Sequence, residues 1–156
     1  MLPEIPPRYI LGFAGLGLVV FLFRTYRNYF RMKAAGMPLR PEAPPSAVFC
    51  ETGASGYSER SFMTRLGGAS RILLVWVSPT ELAIQKMFPF SVVLADHDND
   101  LEHKVSLRDV TGVSVVNKSQ ARLCFTDSIG GQHTLMLRLK DPSRFVSVIG
   151  PRGTLL

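Results

Sequence analysis

An uncharged, apolar run near the amino terminus is the feature that most limits how this chain folds. The fifteen residues from Tyr9 to Phe23 carry no charge, and ten of them are Leu, Ile, Val or Phe. A helix over this run spans about 22 Å, which is short of the ~30 Å hydrocarbon core of a bilayer. The flanking Arg8 and Arg24 extend its reach because their charged ends point outward to the interface. The run therefore predicts a transmembrane helix whose insertion is favourable by a small margin.

The predicted membrane-anchoring residues are the large side chains of this run and the first two arginines after it. They are Tyr9, Ile10, Leu11, Phe13, Leu16, Leu18, Val19, Val20, Phe21, Leu22, Phe23, Arg24 and Arg27. Three alternatives compete with a spanning helix. A cleaved signal peptide needs a small-residue cleavage site, but Thr25 and Tyr26 stand there. A buried helix or a helix in the membrane plane needs a polar face, which residues 10–23 lack.

The distribution of charge predicts the orientation of this helix. Residues 1–40 contain six basic residues and one acidic residue, whereas residues 41–156 contain 12 basic and 11 acidic residues. Most of the basic excess follows the apolar run, and basic flanks stay on the cytoplasmic side of a membrane. We therefore expect a single-pass protein of the cell (inner) membrane, with its amino terminus outside and its remainder in the cytoplasm. The basicity is assigned to the membrane surface, so no nucleic-acid partner is expected. Free thiols at Cys50 and Cys124 suit the reducing cytoplasm.

Composition divides the chain into three parts. Residues 1–35 form the predicted transmembrane helix and basic juxtamembrane segment. Residues 36–45 contain four prolines, which end a helix and favour an extended linker. Residues 46–156 form the predicted cytoplasmic domain.

The pattern within this domain predicts short antiparallel strands. Ile72 to Val77 is an apolar run, residues 78–81 form a turn, and Leu82 to Ile84 resumes the run as the second arm of a hairpin. Residues 122–126 and 135–140 alternate between apolar and polar side chains on either side of a glycine-containing turn, which predicts a second hairpin. Asp141 and Pro142 are typical of a helix start, and Gly150 ends that helix. The fold class is mainly β, with a short helix at the end of the domain.

The order of these segments resembles that of bacterial pleckstrin-homology-like (PH/GRAM-type) domains. The resemblance rests on "LLVWVSPTELAI", "LEHKVSLRDVTGVSVV" and "LCFTDSIGGQHTLMLRLKDPSRFVSVIG", and it covers roughly residues 70–150. The chain also resembles a set of single-pass, membrane-anchored bacterial proteins that share the pattern GxSxRSxxxRLGGA, here from Gly56 to Ala69. The resemblance implies a barrel-like pair of orthogonal β-sheets that the terminal helix closes at one end. It implies no catalytic residue.

The segment between Gly53 and Ala69 is the candidate binding site of the domain. Arginine side chains, hydroxyl groups and flexible backbone amides are the groups that bind a phosphate. The candidate residues for an anion or lipid headgroup are Ser58, Arg60, Ser61, Arg65 and Arg71. The alternative is that the glycines shape a tight connection and that the arginines pair with Glu51, Glu59 or Glu81.

The remaining motifs predict neither a metal site nor an enzyme. Asp96, Asp98 and Asp100 have the spacing of the first ligands of a calcium loop, but Leu101 and Leu107 stand where that loop needs glycine and glutamate. Three histidines lack tight zinc-ligand spacing: His97, His103 and His133. The sequence also lacks a nucleophile elbow, a phosphate-binding P-loop and a dinucleotide fingerprint. We therefore expect no catalytic residue, no cofactor and no metal.

Together these features predict a membrane-tethered, non-catalytic PH-like module. Its membrane partner is lipid, which it contacts through the amino-terminal helix. Its second partner is expected to be a protein, bound at an unpaired strand edge to which a peptide adds as an extra strand. The alternative is that residues 58–71 sense anionic lipid headgroups.

Overall fold

In the computed structural model, seven antiparallel strands follow a long amino-terminal helix. The structure describes residues 7–60, 68–94 and 100–150, and it describes the side chains of the first helix from residue 15 onward. The elements in chain order are α1 (Pro7–Ala34), β1 (Phe49–Ser58), β2 (Ala69–Val77), β3 (Glu81–Lys86), α2 (Phe90–Val93), β4 (His103–Ser106), β5 (Val110–Asn117), β6 (Gln120–Thr126), β7 (Gln132–Arg138) and α3 (Pro142–Ile149). The prediction of a mainly β, antiparallel fold with a short helix at its end is confirmed.

The strands form one sheet in the order β4-β3-β2-β1-β7-β6-β5. Both predicted hairpins are present: β2 pairs with β3 from Leu73 to Val77, and β6 pairs with β7 along their whole lengths. Helix α3 begins as predicted, because the Asp141 side chain caps it by accepting a hydrogen bond from the Arg144 backbone N–H at 2.9 Å. Helix α2, which has only four residues, was not predicted from the sequence.

Strand β1 joins the two halves of the sheet because it bends. Its first half pairs with β2, and residues 55–58 pair with β7, with register shifts on either side of Ala54. Gly53 has φ +76°, and a Cβ at Gly56 would lie 3.0 Å from the Met136 carbonyl oxygen, so glycine suits both positions. Residues 53–58 are therefore strand, where the sequence analysis treated them as part of a connection. Glycine is rare in strands unless the strand bends or another chain segment approaches closely, which is the case here.

The sheet curls strongly around a single main core. The imidazole rings of His103 on β4 and His133 on β7 have centroids 4.8 Å apart, although β3, β2 and β1 lie between those strands in the sheet. In a flat sheet, four strand spacings would separate β4 from β7 by about 19 Å. Buried apolar side chains from all seven strands form one main cluster, to which Phe145 and Ile149 of α3 belong. The terminal helix is therefore part of the core. Leu74, Trp76 and Ala83 form a second, smaller cluster.

Helix α1 makes its described contacts with α2 and leaves most of its apolar surface exposed. Asn28 is buried, and its Nδ2 donates to the Val92 carbonyl oxygen at 3.3 Å. The linker lies nearby, where the Leu39 carbonyl oxygen accepts a hydrogen bond from Ser91 Oγ at 2.9 Å. In the part of the chain that the structure describes, no helix has both the length and the apolar character required to cross a membrane.

Replacing Phe145 tests the role of α3 in the core. Phe145 is fully buried, and its ring meets that of Phe49 edge-on at 5.3 Å. We expect Phe145→Ala to lower the free energy of unfolding by about 3–5 kcal/mol, because the substitution leaves a cavity that α3 cannot fill. Ile129→Ala is the control, because Ile129 is 90% exposed, and we expect it to change stability by less than about 0.5 kcal/mol. Urea denaturation of the purified chain measures both, and equal effects would contradict this role for α3.

Candidate functional site

Five polar side chains from separate parts of the fold meet at one place, which we call the Asp100 cluster. They are Ser58 at the end of β1, Asp100 before β4, His103 on β4, Asp127 in the β6–β7 turn, and His133 on β7. Ser58, Asp100 and His133 are buried. Burying polar groups costs free energy unless they form hydrogen bonds, and these side chains bind one another.

The Asp100 carboxylate is the centre of the cluster. Ser58 Oγ donates to its Oδ2 at 2.6 Å, and His133 Nδ1 lies 3.0 Å from its Oδ1. Burial raises the pKa of the Asp100 carboxyl, but the hydrogen bonds from Ser58 and His133 and the charge of the two imidazoles outweigh that effect, so the pKa lies below its usual range. The carboxylate is therefore held in its ionised form.

His133 lies between two carboxylates. Its Nδ1 faces Asp100, and its Nε2 lies 2.9 Å from Asp127 Oδ2. Burial lowers the pKa of this imidazole, but the hydrogen bonds to Asp127 and Asp100 outweigh burial and raise the pKa above its usual range. The ring also stacks on Phe125, with an angle of 9° between the planes. These contacts fix both the position and the orientation of the ring.

His103 occupies the third side of the cluster. Its Nε2 lies 3.0 Å from the Asp100 backbone oxygen and 3.3 Å from Asp100 Oδ1. Burial lowers the pKa of His103, although the hydrogen bond to the Asp100 backbone oxygen and the charge of its carboxylate act in the opposite direction. The neutral imidazole is thus favoured, and because a carbonyl oxygen only accepts hydrogen bonds, its Nε2 carries the proton and its Nδ1 the lone pair.

The β6–β7 turn holds Asp127 in place. Asp127 Oδ1 accepts hydrogen bonds from the backbone N–H groups of Ile129 at 2.9 Å and Gly131 at 2.6 Å. A Cβ at Gly131 would lie 2.6 Å from Asp127 Oδ2, so this turn requires glycine there. The hydrogen bond from His133 and those from the turn lower the pKa of Asp127. The Asp-Ser-Ile-Gly-Gly turn therefore orients a carboxylate as well as reversing the chain.

The cluster does not have the geometry of a hydrolase triad. A catalytic serine donates to a histidine that a carboxylate orients. Here the hydroxyl of Ser58 donates to the carboxylate of Asp100 instead, and both ring nitrogens of His133 face carboxylates. The Ser58 hydroxyl is thus hydrogen-bonded to Asp100, whereas a catalytic serine would be hydrogen-bonded to the histidine.

The predicted anion-binding residues are distributed between the cluster and the surface. Ser58 is fully buried within the Asp100 cluster, and the Arg60 side chain is 62% exposed with its Nη1 3.9 Å from Asp100 Oδ1. Arg71 is exposed in β2, where it has φ +58° and its backbone N–H donates to Ser55 Oγ at 2.9 Å. Ser61 and Arg65 lie outside the described residues. Among the described residues, Arg60 and Arg71 are the candidate arginines, and both are exposed.

The glutamates that the sequence analysis considered as partners for these arginines bind other groups. Glu59 pairs with Arg122 at 2.6 Å, and Glu81 pairs with Lys104 at 3.0 Å. Glu51 accepts a hydrogen bond from the Lys140 backbone N–H at 2.9 Å. The described ion pair of Arg60 is with Asp100 instead.

The structure groups the acidic and histidine residues differently from their order in the sequence. Asp96, His97 and Asp98 lie outside the described residues. Asp100 lies beside His103 and His133, and their potential ligand atoms are all within 4.8 Å of one another. His133 is 33 positions from Asp100, so local spacing gave no signal for this group. Only the pairing of strands brings it together.

The outer strands of the sheet provide a second candidate surface. Strand β4 has four residues, whereas β5 has eight and ends in two consecutive exposed valines, Val115 and Val116. Among the described residues, β5 has β6 as its strand partner. A register shift lies between Val115 and Asn117, so the regular alternation of faces is interrupted there and both valines are exposed.

The chain was also compared with known proteins. No protein-family model matches it, and no curated protein is significantly similar to it.

Replacing Asp100 tests whether it is the centre of the cluster. Asp100 has φ +54°, and Asn tolerates such a backbone as well as Asp does, so Asp100→Asn removes the charge without adding strain. We expect it to lower the free energy of unfolding by about 2–3 kcal/mol in the presence of a chelator, because charge-assisted hydrogen bonds are lost. Asp109→Asn, at an exposed carboxylate, is the matched control and should change stability by less than about 0.5 kcal/mol. A similarly small loss for Asp100→Asn would show that Asp100 does not organise the cluster.

Proposed function

We propose that this chain is a membrane-tethered, non-catalytic binding module, with a PH-like domain on the cytoplasmic face of the membrane. The observation that carries the proposal is the exposed apolar surface of α1. Seven large apolar side chains between residues 16 and 23 are between 48% and 66% exposed. A continuous apolar surface of this kind needs a lipid or protein cover.

Lipid is the proposed cover because a basic segment follows this surface directly. Within α1, the apolar surface is followed by the exposed side chains of Arg24, Arg27, Arg31 and Lys33. Basic side chains next to an apolar helix bind anionic lipid headgroups and favour the cytoplasmic side. The anchor also includes Tyr9, Ile10, Leu11 and Phe13, which belong to α1 but whose side chains lie outside the described residues.

Aromatic residues beside this part of α1 support the same placement. Tyr26 and Phe30 are exposed on the helix, and Phe88 and Phe90 are exposed where α2 meets it. Phe88 lines an apolar groove of about 710 Å³ between α1 and α2, together with Tyr26 and Val92. Aromatic side chains favour the interface between lipid and water. The domain would then rest against the membrane surface through α2.

The architecture of the domain supports its PH-like assignment. The resemblance implies two sheets that the terminal helix closes at one end. The curled strand order β4-β3-β2-β1-β7-β6-β5, with Phe145 of α3 inside the core, is consistent with that arrangement. The non-catalytic role is supported by the bonding of Ser58, whose hydroxyl donates to Asp100.

The proposed surface for a protein partner is the outer edge of β5. An edge strand offers unpaired backbone groups to which a peptide adds as a further strand. The eight residues of β5 make it the longer of the two edges, and its exposed Val115 and Val116 would supply apolar contact. The short β4 offers fewer backbone groups.

Charged substitutions in α1 test the membrane tether. We expect Leu18→Lys combined with Phe21→Lys to move most of the protein from the carbonate-resistant membrane pellet to the soluble fraction, because two lysines near the bilayer centre cost about 5–7 kcal/mol. Quantitative blotting of both fractions provides the measurement. The control is Ile129→Lys, which places one lysine at an exposed apolar position of the domain. Wild-type protein in the carbonate supernatant would contradict the tether.

Charges on the β5 edge test the partner surface. We expect detergent-solubilised membranes to yield a protein that copurifies with the wild-type chain and is depleted at least about tenfold by Val115→Lys combined with Val116→Lys, because each lost contact weakens binding. Quantitative mass spectrometry of cross-linked complexes compares the two chains, and Ile129→Lys again serves as the control. Recovery that is equal with and without the β5 lysines would exclude this edge as the binding surface.

A further inference from the structure

We propose that Asp100, His103 and His133 form a binding site for one divalent transition-metal ion, with Zn²⁺ as the expected ion. The ion would connect β4 to β7 where the curled sheet brings them together. This inference depends on the Asp100 cluster alone and stands independently of the tether and the β5 edge.

The spacing of the ligand atoms fits a tetrahedral ion. Zinc bonds of 2.0–2.1 Å place neighbouring ligand atoms about 3.3 Å apart in a tetrahedron. Asp100 Oδ1 lies 3.3 Å from His103 Nε2 and 3.0 Å from His133 Nδ1. The three residues offer ligand atoms that all lie within 4.8 Å of one another, which is close enough for one ion to contact all three.

Two of these ligands, His133 and Asp100, already have outer partners in place. A histidine that binds a metal nearly always donates its other N–H to a carboxylate, a backbone carbonyl or water. When His133 Nδ1 binds the ion, its Nε2–H has such an acceptor in Asp127 Oδ2 at 2.9 Å. Ser58 Oγ donates to Asp100 Oδ2 at 2.6 Å, whereas Asp100 Oδ1 is the oxygen that lies nearest to both imidazoles, so Oδ1 is the oxygen that would bind the ion. The backbone N–H groups of the β6–β7 turn hold Asp127 in place.

The ligand types favour zinc over calcium or magnesium. Calcium and magnesium prefer sites made of oxygen atoms. Two imidazole nitrogens and one carboxylate oxygen are typical of zinc sites that hold water in the fourth position. Binding of the ion would release the proton on His133 Nδ1 to solvent and move the proton of His103 from Nε2 to Nδ1. Both imidazoles are then neutral ligands, and Asp100 and Asp127 balance the double charge of the ion. The site thus meets the requirements of charge, ligand type and distance.

The direct consequence is a link between distant parts of the sheet. Asp100 and His103 belong to the β3–β4 side, whereas His133 belongs to β7. An ion that binds only the folded chain stabilises it in proportion to the logarithm of its concentration. Zinc should therefore raise the melting temperature of the protein.

Cobalt is the probe that tests this site, because four-coordinate Co²⁺ absorbs visible light intensely. The untagged full chain is purified in detergent, stripped with chelator and titrated with Co²⁺, and then Zn²⁺ is added as a competitor. We expect a visible absorption that saturates at one Co²⁺ per chain and is lost when Zn²⁺ displaces it. Saturating Zn²⁺ should raise the melting temperature by at least about 5 °C.

Variants assign the signal to the proposed ligands. His103→Gln and His133→Gln should each weaken binding by at least about 100-fold, whereas Asp127→Asn, which keeps the turn hydrogen bonds, should weaken it about 10–100-fold. Cys50→Ser is the control for binding to an exposed thiol and should leave the titration unchanged. The proposal is overturned if Co²⁺ gives no saturable absorption, if both histidine variants bind as the wild type does, or if Cys50→Ser removes the signal. In those cases the cluster is held by hydrogen bonds alone.

Discussion

The exposed apolar surface of α1 is the constraint on which the proposed function depends. The residues between Leu16 and Phe23 are largely exposed in the described chain, although Leu22 and Phe23 line the groove between α1 and α2. Further along α1, Asn28 is buried and donates a hydrogen bond to Val92. The domain has its own core of strand residues and α3, so it does not need this surface for its own packing. The surface is therefore available to a lipid environment, and the basic residues that follow it give the helix a direction. In the proposed function, the placement of α1 in the membrane sets the location of the domain and the orientation of its strand edges.

Within the domain, curling of the sheet has the largest consequence. The bend in β1 at Gly53 and Gly56 turns the second half of the strand toward β7, and β4 then approaches β7 from the other side. This closure encloses an apolar core, but it also buries the Asp100 cluster, where each polar group must find a partner inside the protein. The hydroxyl, the imidazoles and the carboxylates satisfy one another. The same mutual arrangement gives the ligand distances from which a metal site is inferred.

Local pattern predicted the elements whose signals lie within a few residues. The first hairpin followed from two apolar runs on either side of a turn, and the second followed from alternation. Helix α3 followed from Asp141 and Pro142, because caps and turns depend on adjacent residues. The second half of β1 was missed because its glycines are typical of a loop. In the structure these glycines permit the bend that lets residues 55–58 pair with β7. Helix α2 is one turn long and has no side-chain cap. The Asp100 cluster could not be predicted from spacing, since it depends on which strands meet after the sheet closes. The anion-binding and membrane-anchoring predictions remain predictions.

Protease protection of the domain measures the central claim most directly. A protease that does not cross the bilayer is added to two preparations that carry the full chain. One is sealed, right-side-out cells or spheroplasts, and the other is inverted membrane vesicles. The account predicts that the domain between Phe49 and Gly150 is degraded in inverted vesicles and remains intact in sealed right-side-out preparations until detergent is added. Degradation from outside sealed cells, or loss of the protein from vesicles before protease is added, would contradict a cytoplasmic domain held by a membrane helix.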